Sequence, residues 1–183
     1  MAYTALLDAN VLHPMVLCDL LIRLAQKGMF RALWSREILE ETVRSIARRK
    51  PDIPIERLYR RVDMMNQAIQ DAEVTGYEGL VPAVERLKKD AHVLAAAIKG
   101  KADVIVSVDV RGFPPEVLTP FHIAVQHPDD FLLDQLGLRF EVVRDTIAEQ
   151  AACLKRPPKT LADILVSLEV HTPNFVREFR SWS

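Results

Sequence analysis

The chain predicts an α/β fold: a three-layer α/β/α arrangement around a mostly parallel sheet, followed by a helical C-terminal extension. Three observations carry this. Short apolar runs alternate with longer stretches of helical period. The clearest of those runs, 104–108, is β-branched and uncharged, as expected of a strand covered on both faces. Beyond residue 139 no strand-like run recurs.

The elements follow in order. Residues 4–8 read as a buried strand. Pro14 suits the first turn of a helix reaching about Gln26, with Gly28 as its stop. A second strand spans 30–34. Ser35 is a good N-cap and Glu37 an acid in the positively polarised first turn of a helix that ends before Pro51. The next helix, 55–72, spaces Ile55, Leu58, Val62, Met65 and Ile69 in a 3-4-3-4 seam, most simply a core face and otherwise a ridge for a partner helix. Residues 73–77 suit a short strand, and 78–89 carry no assignable pattern. Asp90 is expected to cap a helix over 92–99 that Gly100 ends. After the strand at 104–108, Phe113-Pro114-Pro115 breaks the chain. A last strand is expected at 122–126, then a helix from Pro128 to about Leu136. The extension holds helices at 139–154, 161–170 and beyond Pro173, with Thr160 and Thr172 as N-caps and a stiff basic linker at 155–159. The division expected is 1–137 for the α/β domain and 138–183 for the helical extension.

Bulk properties exclude some classes. A length of 183 residues fits one domain with a small appendage. The formal net charge is −1, so nucleic-acid binding would need a local basic patch. Cys18 and Cys153 make neither a disulfide framework nor a zinc quartet, and they read as reduced thiols of a cytoplasmic protein. No signal-peptide pattern opens the chain, and no apolar run approaches the ~20 residues that span a bilayer.

The chemistry lies in the acids. Asp8 and Asp109 end strand-like runs, Asp90 opens a helix, and Glu41 sits in an early helix. Strands of open α/β sheets present ligands at their carboxyl ends. If the acids converge, they repel, and a divalent cation relieves the repulsion. Taken singly, each has a plainer role: a strand-end turn for Asp8 and Asp109, a helix cap for Asp90, a solvated helix position for Glu41. Helical period does not choose between Glu40 and Glu41.

These residues resemble a PIN domain, the nuclease fold shared by VapC-type toxins of bacterial toxin–antitoxin pairs. Leu6-Leu7-Asp8-Ala9-Asn10-Val11-Leu12 is similar to the family's opening strand and Asp-x-Asn turn. Trp34-Ser35-Arg36-Glu37-Ile38-Leu39-Glu40-Glu41 resembles its second acidic segment, and the spacing from Ser35 favours Glu41. The strongest likeness is Lys89-Asp90-Ala91-His92-Val93-Leu94-Ala95-Ala96-Ala97-Ile98 followed by Ala102-Asp103-Val104-Ile105-Val106-Ser107. Asp129-Asp130-Phe131-Leu132 resembles a segment near the end of the domain. The likeness covers residues 3–137, and the last thirty or so residues look like the helical extension of a PIN subfamily. Two departures stand out. Relatives often read Asn-x-x-Asp-Phe-Pro where this chain has Asp109-Val110-Arg111-Gly112-Phe113-Pro114, so the acid sits at the Asn position and Gly112 where an Asp is common. Relatives also often carry an acid at the position of Leu87.

The resemblance implies a Mg²⁺- or Mn²⁺-dependent endoribonuclease, the toxin of a toxin–antitoxin pair, with an RNA substrate, a cognate antitoxin and self-association. It implies catalytic roles for Asp8, Glu41, Asp90 and Asp109, of which Asp8, Asp90 and Asp109 hold metal. Asn10 and Ser107 would support the cluster. Phosphate contacts are expected from Arg44, Arg48, Arg49, Lys88 and Lys89. Arg44, Arg48, Arg49 and Lys50 end one helix, and Arg57, Arg60 and Arg61 begin the next, a pattern that also complements helix dipoles. His92 reads as a packed, hydrogen-bonded residue, and His13, His122, His127 and His171 show no metal-ligand spacing. Two alternatives stay open: a non-catalytic PIN-fold interaction module, motivated by Leu87 and Gly112, and an α/β phosphotransferase with Asp8 as nucleophile, against which Asn10 stands where a second Asp is usual.

Overall fold

A computed structural model describes residues 3–183. Five parallel strands form one sheet in the order β3-β2-β1-β4-β5. They are β1 (Thr4–Leu7), β2 (Arg31–Ser35), β3 (Glu73–Val74), β4 (Val104–Val106) and β5 (Ala124–Gln126). All residues of β1 and β4 are buried, which is why their sequence is apolar without alternation. The chain builds outward from β1 to β2 and β3, then returns to place β4 on the other side of β1. That reversal creates a crevice between the carboxyl ends of β1 and β4.

A single turn, α1 (Ala9–Leu12), follows β1, and α2 (Met15–Gln26) crosses to β2. Pro14 stands at the N-cap of α2, just outside it. Gly28 adopts φ 74, the left-handed conformation that ends α2 without a Cβ clash. Ser35 caps α3 (Arg36–Arg49), its hydroxyl accepting from the Ile38 amide at 3.1 Å. In α4 (Ile55–Ala68) the predicted seam is core at Leu58 and Met65, half-buried at Val62 and exposed at Ile55. The helix stops at Ala68 rather than 72, so Ile69 falls just past its end. Residues Glu78–Asp90, which carried no pattern, form short 3₁₀ turns interrupted at Val84 and Lys88, and α5 (Ala91–Gly100) follows. Leu87 is 7% exposed and packs in the core.

Two short helical turns and α6 (Pro115–Leu118) link β4 to β5. β5 begins two residues later than expected, because His122 takes the left-handed conformation (φ 55) that ends the preceding turn. Then come α7 (Pro128–Leu138), α8 (Phe140–Cys153), α9 (Leu161–Glu169) and α10 (Pro173–Trp182). Thr160 makes a full capping box with Asp163. Thr172 does not cap α10; its buried hydroxyl donates instead to the Leu168 carbonyl at 3.0 Å. Asp129 does the capping from outside. Its buried carboxylate accepts from the Asn174 and Phe175 amides at 3.1 and 2.7 Å and from the Asn174 side chain at 2.8 Å. This ties the first turn of α10 to α7, 45 residues away in sequence. Phe30 and Phe131 meet edge to face at 4.9 Å, and Phe175, Val176 and Phe179 turn inward, so the extension shares the main core.

Candidate active site

Asp8 is the first residue after β1, and Ser107 the first after β4. The sheet order makes these strands neighbours, so the two side chains meet across the crevice. The Ser107 hydroxyl donates to Asp8 Oδ2 at 2.7 Å. Asp8 Oδ1 accepts from the Ala9 amide at 2.8 Å as the cap of α1. Asn10 braces both: its amide nitrogen lies 3.3 Å from Asp8 Oδ2 and 3.0 Å from Ser107 Oγ, and its carbonyl oxygen accepts from the Val108 amide at 3.0 Å. The Asp-x-Asn spacing thus buckles two strand ends together. Burial, and then the nearby Glu41 charge, push the Asp8 carboxyl above its ordinary range against the opposing pull of the Ser107 and Ala9 hydrogen bonds.

Asp90 occupies the N-cap position of α5, yet its side chain makes no capping bond. It does not cap the helix as its position predicts: Lys88, at φ 52, kinks the chain before Asp90, and the carboxylate faces the cleft instead. Burial raises its pKa; Lys89 opposes, and Asp8, Asp109 and Glu41 add to the rise. Asp109 lies past the end of β4, where Ser107 Oγ accepts from its amide at 3.1 Å. Its Oδ1 accepts from the Gly112 amide at 3.1 Å.

Gly112 explains one departure from the family pattern. A Cβ built on it would lie 2.9 Å from Asp109 Oδ2 and 3.2 Å from Asp90 Oδ2. The two carboxylates close over the glycine backbone, in space that a side chain at 112 would fill. With the acid at 109, a side chain at 112 would push the Asp109 carboxylate aside. Leu87, the other departure, is part of the core and not of the cleft.

Asp8, Asn10, Glu41, Asp90 and Asp109 line one open cleft of about 410 Å³, and Arg44, Arg48 and Lys89 line it too. Glu40, the other candidate on α3, points elsewhere and accepts from the Tyr59 hydroxyl at 3.0 Å. Lys88 is not among the cleft residues, and Arg49 faces an adjoining cavity.

Sequence reasoning missed Glu37. Buried His92 places Nε2 3.0 Å from Glu41 Oε1 and Nδ1 3.6 Å from Glu37 Oε2. Burial alone would push the imidazolium down, but the hydrogen bond and charge of Glu41, then Glu37 and Asp8, outweigh it and raise its pKa. The signal was present in the i, i+4 spacing of Glu37 and Glu41 on one face of α3. The three residues offer ligand atoms within 4.8 Å of one another. The hydrogen bond from His92 to Glu41 Oε1 at 3.0 Å ties Glu41 to α5 at the edge of the cleft.

The donor set of the cleft fits a hard divalent cation. The donors are carboxylate oxygens, Asp8 and Asp90 are raised first by burial and then by neighbouring acids, and Asp90 Oδ2 and Asp109 Oδ2 would both lie within 3.2 Å of a Cβ on Gly112.

A PIN domain family model matches residues 4–111, and a model for the VapC50 C-terminal domain matches residues 128–181. The chain is 40% identical over 105 residues to "Putative ribonuclease VapC50" of Mycobacterium tuberculosis, a match covering 57% of this chain and 62% of that relative. No solved structure matches significantly. With more than half its length covered by that model, and an acid-lined crevice where β1 and β4 end side by side, the chain belongs to the PIN domain family.

Proposed function

We propose that this chain is a Mg²⁺- or Mn²⁺-dependent endoribonuclease, the toxin of a toxin–antitoxin pair, cutting RNA phosphodiesters by hydrolysis without a covalent enzyme intermediate. The observation that carries the reading is the convergence of Asp8, Glu41, Asp90 and Asp109 on one cleft whose rim bears Arg44, Arg48 and Lys89. Asp8, Asp90 and Asp109 would hold the metal. A bound divalent ion supplies Lewis-acid stabilisation of the phosphodiester and activation of water. The rim cations attract and position the RNA backbone. Glu41, fixed by His92, is placed to orient the attacking water. Ser107 and Asn10 fix the Asp8 carboxylate, limiting its reorganisation during reaction.

The name of the VapC50 relative supports an RNA substrate, and its VapC type supports an antitoxin partner. Met15 and Met64, exposed on α2 and α4 and lining one shallow cavity with Ile22 and Met65, offer an apolar surface for that antitoxin or for self-association. A division near residue 137 also belongs to the proposal: the extension would brace the nuclease domain through Asp129 and the shared aromatic core. The phosphotransferase alternative loses support because Asn10 is committed to Asp8, Ser107 and Val108. The test is incubation of the purified chain with total RNA and Mg²⁺ or Mn²⁺, beside the Asp8→Asn and Asp90→Asn variants. Cleavage by the wild type alone supports the reading; equal cleavage by all three overturns it.

A further inference from the structure

Beside the acid cleft lies a larger cavity of about 750 Å³, and the two share Asn10 and Ser45 on their common wall. Its lining has a charge of one sign. Arg49 and Lys50 come from the end of α3, Arg57 and Arg61 from α4, and no carboxylate lines it. Among the described residues, none of these four forms an ion pair. Arg61 is anchored, donating to the Leu12 and His13 carbonyls, yet its buried Nε has no partner. The other three are exposed at the mouth. The floor is apolar, with Val16, Ile46, Ile53 and Leu58. One wall comes from the helical extension: His171, in the link between α9 and α10, faces the cavity together with His13. Burial pushes both histidines below their ordinary pKa, and the cations push His13 further.

We propose that this cavity is a nucleotide subsite, holding one residue of the RNA strand beside the scissile position, with its phosphate on Arg49, Lys50 and Arg57 and its base between the apolar floor and His171. This rests on the nuclease reading of the acid cleft. Four unneutralised cations around a concave apolar floor suit a ligand that is anionic at one end and flat and apolar at the other. The volume falls in the ordinary range for small-ligand pockets of ~300–1,000 Å³. The shared wall makes the path continuous, so a strand seated here runs on into the metal site. An acidic protein segment would satisfy the cations but would leave the floor and the imidazole faces without a planar partner. The helical extension thereby becomes part of the substrate site.

The test uses the full chain in EDTA, which prevents cleavage, and a fluorescein-labelled ten-nucleotide single-stranded RNA followed by anisotropy over a range of KCl. Each phosphate contact to single-stranded RNA contributes about −0.7 to the slope of log K against log salt. Arg49→Gln/Arg57→Gln should weaken binding at least tenfold at ~100 mM salt and flatten the slope by about 0.7, the share of the one phosphate those side chains hold. His171→Ala should weaken binding several-fold with the slope unchanged, because a neutral ring contributes by packing. Manganese affinity and melting temperature should stay at wild-type values in both variants, which separates this site from the metal site. Wild-type affinity and slope in the double variant would overturn the subsite while leaving the nuclease reading intact. Failure of the wild type to bind RNA in EDTA would overturn the subsite, and failure to cleave total RNA with Mn²⁺ present would overturn the nuclease reading on which it rests. A poly-glutamate peptide that binds more tightly than the RNA would overturn the nucleotide assignment in favour of an acidic protein partner.

Discussion

Gly112→Ala isolates the metal site from the fold. Gly112 is not at positive φ, so alanine meets no backbone penalty there. The added Cβ would sit 2.9 Å from Asp109 Oδ2 and 3.2 Å from Asp90 Oδ2. Ordinary contact between such atoms begins near 3.4–3.5 Å, so the Asp109 carboxylate must withdraw by roughly 0.5 Å. Metal–ligand distances tolerate about 0.2 Å, and disturbed ligand support costs about 10–100-fold in affinity or activity. The half-buried loop can absorb the methyl, so the melting temperature in EDTA should change by less than about 2 °C. The assay is calorimetric titration with MnCl₂ alongside thermal melts in EDTA. An alanine variant that binds Mn²⁺ within twofold of the wild type would refute the idea that Asp90 and Asp109 share an ion.

Three further outcomes follow from the contacts. The Asp90 carboxyl is raised in the folded state, so metal-free protein binds more protons than the unfolded chain above the ordinary value of 3.8, and stability falls as pH rises through the raised pKa. In EDTA, Asp90→Asn should therefore melt higher than the wild type at pH 7–8, with the gap closing as pH falls toward 4; in millimolar Mn²⁺ the order should reverse. Asp129→Ala removes three hydrogen bonds to a buried carboxylate and leaves two main-chain amides without partners, a loss of about 3 kcal/mol and about 10 °C. Denaturant and thermal melts measure it, and limited proteolysis should release α10 first. His92→Ala frees Glu41 beside Glu37; it should cost about 1–2 kcal/mol in stability, and it should lower kcat for RNA cleavage far more than it changes KM.

The parts of the fold written in local pattern were legible. The apolar runs of β1 and β4, the helical seams, Gly28 and the Ser35 and Thr160 caps each depend on near neighbours in sequence. The 3₁₀ turns at 78–90 were not legible, because Pro82 and the kink at Lys88 break any period. Thr172 and Asp129 traded roles for a tertiary reason: the carboxylate that caps α10 comes from a helix 45 residues earlier, and no N-cap rule reaches that far. The site divides in the same way. Asp8 and Asn10 announce themselves by spacing, and parallel topology brings Ser107 to them. Asp90 looked like a cap, and only the kink before it turns the carboxylate to the cleft. Gly112, which weakened the site when read along the chain, is in space the seat on which two carboxylates rest. The Glu37–His92–Glu41 bridge and the cavity joining α3, α4 and the extension are made by packing between distant segments, which pattern alone does not report.

The central claim is that carboxylates from separate strand and helix ends share one hard cation. Crystals soaked in MnCl₂ and measured for manganese anomalous scattering test it most directly. A peak bounded by Asp8, Asp90 and Asp109, absent in Asp8→Asn crystals, is the predicted result. A peak among Glu37, Glu41 and His92 instead, or none in the cleft at millimolar manganese, would contradict it.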